Sequence, residues 1–229
     1  MYQALEKIIP KLREEGYSVE DPWDVVDIFE EKVAQYAGSK YAVSCDSCTN
    51  AMYMCLKYLD AKGEITIPKK TYLSVPGLII HSGCNVKFED IEWSGVYRLD
   101  PYPVVDGATR FTKGMYEKGT YHCLSFHIRK ILAIAKGGMI LTDDKDAYEW
   151  FKLARYEGRN NREPHDSIED IEVLGWNFYM PPEQAALGIE LFSKLGDFNE
   201  DCGGSWKYKD LSSYSAWKKR AVQISDLFE

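Results

Sequence analysis

The chemistry of this chain begins at Lys130. It ends the run Ser125-Phe126-His127-Ile128-Arg129-Lys130, and Lys136-Gly137-Gly138 follows. A lysine taken alone is a solvated surface charge. Here the apolar stretch from Tyr121 to Phe126 reads as a short buried strand. Lys130 then lies just past a strand end, where open α/β sheets hold their ligands. Desolvation in such a crevice frees a lysine amine for carbonyl chemistry, as a Schiff-base nucleophile. Two other strand ends carry groups that complement it. Pro103-Val104-Val105-Asp106 is a short buried strand ending in a carboxylate. Tyr41 to Cys45 is a strand that passes through Asp46-Ser47-Cys48-Thr49-Asn50 into an apolar helix. The N-terminus of that helix has free backbone N–H groups and the positive dipole end, suited to a phosphate. Each feature also has a plainer reading: Ser47 or Thr49 as a helix cap, Asp106 as a turn cap, Tyr72 as core.

An amine, a carboxylate and a phosphate-ready helix start are what pyridoxal phosphate requires. The lysine bonds the aldehyde, the carboxylate keeps the pyridine nitrogen protonated so that the ring can accept electrons, and the helix start holds the phosphate. An aromatic face such as Tyr72 would stack on the ring.

These groups need a scaffold, and the chain supplies a β/α alternation. Residues 2–15 read as a helix with Leu5, Ile8, Ile9 and Leu12 on one stripe. Asp21-Pro22 starts a second helix, with a cap residue and proline at the first position, and Gly38 ends it. Further strands are expected at Glu64–Pro68, Asn85–Phe88 and Gly138–Thr142, and further helices from Thr71 to Ile80, Asp146 to Tyr156, Pro182 to Leu195 and Leu211 to Phe228. Residues 196–208 are rich in Gly, Asp and aromatics and read as irregular. This order predicts a mostly parallel sheet with helices on both faces.

Composition narrows the function classes. Twenty-eight basic against 36 acidic side chains give a net charge of −8, which argues against nucleic-acid binding. The apolar runs are too short for a membrane span and the N-terminus lacks a signal-peptide pattern, so a cytoplasmic protein is expected. Of six cysteines only Cys45 and Cys48 form a CxxC; with no second pair, reduced buried thiols are expected and no metal site.

Several stretches together resemble the DegT/DnrJ/StrS-type sugar aminotransferases, which are fold-type I, pyridoxal-phosphate-dependent enzymes. Phe29-Glu30 through Gly38-Ser39-Lys40-Tyr41-Ala42-Val43 is similar to the family's opening helix and first strand. Ser47-Cys48-Thr49-Asn50-Ala51-Met52 resembles its Ser-Gly-Thr-x-Ala-Leu phosphate turn, with cysteine in place of glycine. Thr71-Tyr72 resembles the Thr-aromatic pair that stacks on the cofactor, and Val105-Asp106-Gly107-Ala108 the Asp-x-Ala segment at the pyridine nitrogen. Ser125-Phe126-His127-x-x-Lys130 with Gly137-Gly138 matches the Schiff-base lysine motif. Gly175-Trp176-Asn177-Phe178-Tyr179-Met180 with Gln184-Ala185-Ala186 resembles the family's Gly-Tyr-Asn-x-Arg-Met…Gln-Ala-Ala segment.

The resemblance implies a fold-type I large domain over residues 1–195, with 196–229 a short tail, the remnant of a largely missing C-terminal small domain. It implies Lys130 as the catalytic amine. Cys48, Thr49, Asn50, Tyr72, Asp106, Thr109, Ser125 and Asn177 would bind pyridoxal 5'-phosphate. Asn177 would reach the phosphate in a partner subunit, making a homodimer with a shared site. The implied reaction moves an amino group, from glutamate, to a keto-sugar nucleotide. Departures are also legible. Only Ile91 to Tyr102 spans a gap where the family has a strand, a loop and a helix, so the sheet is expected to lack about one strand. Thr109 stands where the family has Gln or His, Lys136 replaces a glutamate, and Tyr179 an arginine. These departures keep two alternatives open: a non-catalytic binding or dimerisation protein of the same fold, and a sugar dehydratase, which Lys130 disfavours because dehydratases of this kind carry histidine there.

Overall fold

A computed structural model of the chain describes residues 3–218. Helix α1 (Gln3–Glu14) precedes α2 (Pro22–Ala37), which starts where its caps require. The Asp21 carboxylate accepts from Trp23 N, Pro22 takes the first turn, and Gly38 closes the helix at φ +89°. The chain continues as β1 (Tyr41–Cys45), α3 (Cys48–Tyr58), β2 (Glu64–Pro68), α4 (Ser74–His81) and β3 (Asn85–Glu89). Then follow β4 (Tyr97–Arg98), β5 (Val104–Asp106), β6 (Tyr121–Ser125) and β7 (Gly138–Thr142). Helices α5 (Lys145–Ala154), α6 (Pro182–Phe192) and the short α7 (Ser215–Lys218) complete the described residues. The last helix expected from sequence, Leu211 to Phe228, is seen only as α7; its remainder lies outside the described residues.

Five strands form one sheet in the order β1-β7-β6-β5-β4, and β2 and β3 form a parallel pair. The two sheets meet at an antiparallel bridge between Thr66 and Asp100. Strand direction follows from the registers. β7 runs against both β1 and β6, β5 runs with β6, and β4 runs against β5. Five of the seven strands therefore point one way, as expected of a mostly parallel α/β sheet, while β4 and β7 are reversed. Because β7 runs against both of its neighbours and β4 against β5, antiparallel neighbours outnumber parallel ones in the larger sheet. The stretch expected to cost a strand holds β4, two residues long, beside β5.

Alternation along the strands separates two cores. Val43, Cys45, Val104, Cys123 and Ile140 face α3, α4 and α5, whereas Ala42, Leu124, Met139 and Leu141 face α1, α2 and α6. One buried ionic group ties α2, β1 and α5. Glu30 Oε1 accepts from Ser44 N at 2.8 Å, from Ser44 Oγ at 2.6 Å and from Arg155 Nη1. Burial alone would raise the Glu30 pKa, but the charges of Arg155 and Lys152 and the Ser44 donors outweigh it and hold the carboxyl below its usual range. All six cysteines are free thiols, five of them buried. Among the described residues no helix is long and apolar enough to cross a membrane.

His122 lies on the opposite face of β6 from Cys123. Neither of its ring nitrogens has a hydrogen-bond partner among the described residues. Burial, with a smaller effect from Arg110, pushes its pKa down to about 4. Unfolding restores an ordinary value near 6.5, so the imidazole stabilises the fold only above that pH. As pH falls from about 6.5 through about 4, this residue is expected to cost about 3 kcal/mol of stability. His122→Leu should leave stability at pH 7.5 nearly unchanged, since it removes two unpaired polar atoms, and should flatten this acid-side slope. Denaturant melts of both proteins at pH 7.5 and 4.5 check this; equal slopes would refute it.

Candidate active site

The fold brings the sequence features to one sheet edge. β1, β5 and β6 point the same way, so the turn into α3, Asp106 and the Lys130 loop all leave the same edge. β7 is reversed, so its first residue, Gly138, starts there too, paired with Ser125 in register and with Cys45 on its other side. A cavity of about 730 Å³ opens at this edge. Cys48, Thr49, Tyr72, Asp106, Thr109, Ser125 and Lys130 line it.

The helix-start end is built by close approach. Ser47 Oγ caps α3 by accepting from Asn50 N at 3.2 Å. Gly138 passes directly beneath this turn, and a Cβ there would lie 2.4 Å from Cys48 N and 2.3 Å from Ser47 C. Only glycine lets β7 approach so closely, which accounts for one glycine of the pair after Lys136. Thr49 Oγ1 lies 2.7 Å from Ser74 Oγ, joining the turn to α4. Ser125 Oγ accepts from His127 N at 3.4 Å across the floor. Asp46, which the sequence reading did not single out, also lines this end; Lys136 Nζ lies 3.2 Å from its carboxylate. A cation from the approach to β7 and an anion from the turn thus meet at the mouth.

The Lys130 loop is a hairpin-like excursion. Phe126 N donates to Gly137 O at 2.8 Å, Ile128 N to Ala135 O at 3.0 Å, and Ile134 N back to Phe126 O at 3.0 Å. Buried Phe126, Leu132 and Ile134 anchor it, leaving Lys130 half-buried on the cavity wall. Among the described residues the Lys130 amine makes no hydrogen bond or ion pair. It is therefore available to a ligand.

Asp106 sits buried at the end of β5. Gly107 turns the chain where a Cβ would collide with His122 Nε2 at 2.4 Å. Ala108 N donates to Asp106 Oδ1 at 2.9 Å, the Cys48 thiol lies 3.9 Å from the same oxygen, and Tyr97 OH donates to Oδ2 at 2.6 Å. Burial pushes the Asp106 pKa up, against these donors and the Lys130 charge. A buried carboxylate in this state favours a cationic partner. Cys48 has its own thiol pKa raised by burial and by the Asp106 charge, and so stays a proton donor.

The structure adds hydrogen-bond detail at three of the expected site residues. Thr109 lines the cavity, but its hydroxyl is directed to the carbonyls of Gly95 at 3.0 Å and Gly203 at 2.9 Å, so it braces the chain instead of offering a proton inward. Asn50 is held away from the cavity. Its amide N–H serves the Ser47 cap and its side chain donates to Asp46 at 2.7 Å, leaving the Cys48 and Thr49 amides as the helix-start donors without a partner among the described residues. Asn177 does not reach the cavity of its own chain; it is exposed and donates to Glu157 at 2.8 Å.

Sequence reasoning missed the far wall. Residues 201–211, which include most of the 196–208 stretch read as irregular and the first residue of the helix expected from Leu211, form a strap along the sheet edge. Cys202 N donates to Thr109 O at 2.8 Å, Gly95 N to Gly203 O at 3.0 Å, Ser205 N to Trp93 O at 3.0 Å and Leu211 N to Lys69 O at 2.8 Å. Arg110 grips Asp201 through both carboxylate oxygens, at 2.8 and 2.7 Å. The strap places Cys202, Lys207 and Tyr208 on the cavity wall, with Tyr208 stacked on Trp93 at 5.8 Å between ring centres. Tyr72 stands at the rim, 58% exposed, with its ring edge-on to Tyr208. Only the aromatic richness of the tail hinted at this.

The combination of a Lys130 amine unpaired among the described residues, a buried Asp106 carboxylate and a helix start at one sheet edge defines a class, and comparison with known proteins agrees. The chain belongs to the DegT/DnrJ/EryC1/StrS aminotransferase family, whose model matches residues 19–116 and 107–208. The spore coat polysaccharide biosynthesis protein SpsC of Bacillus subtilis is 25% identical over 76% of this chain and 58% of its own length. A UDP-4-amino-4,6-dideoxy-N-acetyl-beta-L-altrosamine transaminase of Campylobacter jejuni is 23% identical over 74% of this chain and 57% of its own. Among solved structures, AtS13 from Actinomadura melliaura superposes with a TM-score of 0.68 at 18% identity, covering 83% of this chain and 64% of that one. The Helicobacter pylori aminotransferase PseC, involved in pseudoaminic acid biosynthesis, superposes at 0.62 and 18% identity, covering 74% of this chain and 57% of that one. The chain thus spans under two thirds of the length of the relatives it matches.

Proposed function

We propose that this protein is a pyridoxal-phosphate-dependent aminotransferase that takes an amino group from glutamate and delivers it to a keto-sugar nucleotide. The observation that carries the reading is the convergence of an uncommitted Lys130 amine, buried Asp106 and the Gly138-backed start of α3 in one cavity. The residues present fit the cofactor. Lys130 would hold its aldehyde carbon, Asp106 its ring nitrogen, and the Cys48 and Thr49 amides with Ser125 its phosphate. Bound there, the ring supplies an electron sink for the substrate carbon. Lys130 Nζ, when not bonded to the aldehyde carbon, would be the base that accepts the proton of the reacting substrate carbon. Arg129 and Lys207, which line the cavity without a carboxylate partner among the described residues, suit an anionic substrate such as a sugar diphosphate. In this reading Asn177, which is exposed and bonded to Glu157 outside its own cavity, serves the site of a second copy, and the working unit is a cytoplasmic homodimer with shared sites.

The test is spectroscopic. Purified protein loaded with pyridoxal phosphate should acquire a visible absorption band. Adding glutamate should bleach that band and release one equivalent of 2-oxoglutarate. Protein that stays colourless, or a band inert to every amino donor tried, would sink the reading.

A further inference from the structure

We propose that Tyr97, from the two-residue strand β4, is a positioning residue that holds Asp106 ionised and aimed at the cationic ring nitrogen of the cofactor. The inference rests on the reading of the cavity as a pyridoxal phosphate site, but its structural basis stands apart from it. Tyr97 OH donates to Asp106 Oδ2 at 2.6 Å, and Thr71 Oγ1 lies 2.6 Å from the same phenol oxygen. A phenol has one proton, and Tyr97 gives it to the carboxylate, so Thr71 must be the donor in the second bond. Proton donation therefore runs Thr71 to Tyr97 to Asp106, with all three residues buried. Burial and the Asp106 charge keep the phenol protonated, so the chain does not reverse near neutral pH.

The acceptor count shows what the arrangement leaves for a ligand. A carboxylate has about four lone-pair sites. Oδ1 receives Ala108 N and the Cys48 thiol, and Oδ2 receives Tyr97. One site, on Oδ2, remains for an N–H arriving from the cavity. Tyr97 fixes the rotation of the carboxylate that presents this site. It also opposes the burial that would otherwise protonate Asp106. Tyr97 is itself fixed by packing on Trp93, 4.8 Å between ring centres, and Trp93 in turn stacks on Tyr208 of the strap. The short reversed strand thus has a use: it delivers a phenol to the far side of the catalytic carboxylate.

Tyr97→Phe keeps the ring and removes the donor. In the cofactor-free protein, a ¹³C NMR titration of Asp106 should show its pKa higher in the variant by about one unit or more, the effect of one lost charge-assisted hydrogen bond. With the cofactor added, ring-nitrogen-labelled pyridoxal phosphate should report a protonated nitrogen in the wild type to higher pH than in Tyr97→Phe. The cofactor should also dissociate about tenfold more readily from the variant. Thr71→Val, which leaves the Tyr97 ring in place, should shift Asp106 in the same direction by less, and serves if Tyr97→Phe folds poorly. An unchanged Asp106 titration in both folded variants overturns the proposal, whatever their melting temperatures. Should the wild type fail to bind the cofactor, the functional reading falls while the cofactor-free titration still decides the role of Tyr97 toward Asp106.

Discussion

Lys130→Ala should abolish amino-group transfer while leaving the fold as it is. The side chain is half-buried and its amine makes no hydrogen bond or ion pair among the described residues, so its removal should change stability by no more than about 0.5 kcal/mol. The loss of rate should be at least on the order of 10² to 10⁴, the range set by removal of a positioned acid–base group, and the lost nucleophile adds to it. Lys130→Arg separates charge from nucleophilicity. Arginine keeps the positive charge facing Asp106 but stays protonated at all accessible pH, so it neither bonds a carbonyl nor takes a proton. Both variants should therefore be inactive in a glutamate half-reaction, with wild-type melting curves. A Lys130→Arg protein retaining wild-type rates would reduce Lys130 to an electrostatic role.

Glu30→Ala should be the most damaging substitution to the fold. It removes the acceptor for Ser44 N, Ser44 Oγ and Arg155 Nη1 together, and leaves the Arg155 charge buried beside an Nη2 that has no partner even in the wild type among the described residues. Breaking a buried pair from one side costs about 3–5 kcal/mol, against a total stability of roughly 5–15 kcal/mol for a typical domain. The melting temperature should drop by on the order of 10 °C. The sign with pH follows from the lowered Glu30 pKa: the pair stabilises above the ordinary carboxylate range, and its contribution is lost as pH falls through the folded-state value. Wild type should thus lose its advantage over Glu30→Ala in strong acid. Replacing both partners by leucine should recover much of the loss, because two apolar groups avoid the desolvation cost that a lone Arg155 bears. If Glu30→Ala melts with the wild type at neutral pH, the network is not holding α2, β1 and α5 together.

The two substitutions differ in how far each site could be read without the fold. Helix α2 was legible from Asp21-Pro22 and Gly38, because caps act within one turn of the backbone. Strands β1, β6 and β7 were legible because residues buried on both faces are apolar in succession. Lys130, Asp106 and the start of α3 were readable as an ordered set because each follows a strand end, and strands that point one way put their ends at one edge. Those properties are local in the chain, or follow from the direction of the chain.

The tertiary structure decided the rest. No sequence pattern singled out Tyr97 within the Ile91–Tyr102 gap; pairing of β4 against β5 is what turns its phenol to Asp106. Thr109 and Asn50 have the right chemistry for a ligand, yet their hydrogen-bonding groups are taken by Gly95, Gly203, Ser47 and Asp46, and only the packed chain shows which acceptor wins. The strap carries little pattern in sequence because it is held by backbone bonds to Thr109, Gly95, Trp93 and Lys69 and by one Arg110–Asp201 fork. Hydrogen bonds of that kind depend on which segments meet, not on which residue types succeed one another. The sequence by itself therefore determined that an amine, a carboxylate and a helix start share a sheet edge. The structure determined which of their neighbours are committed elsewhere, what holds Asp106 in place, and what forms the far wall of the cavity.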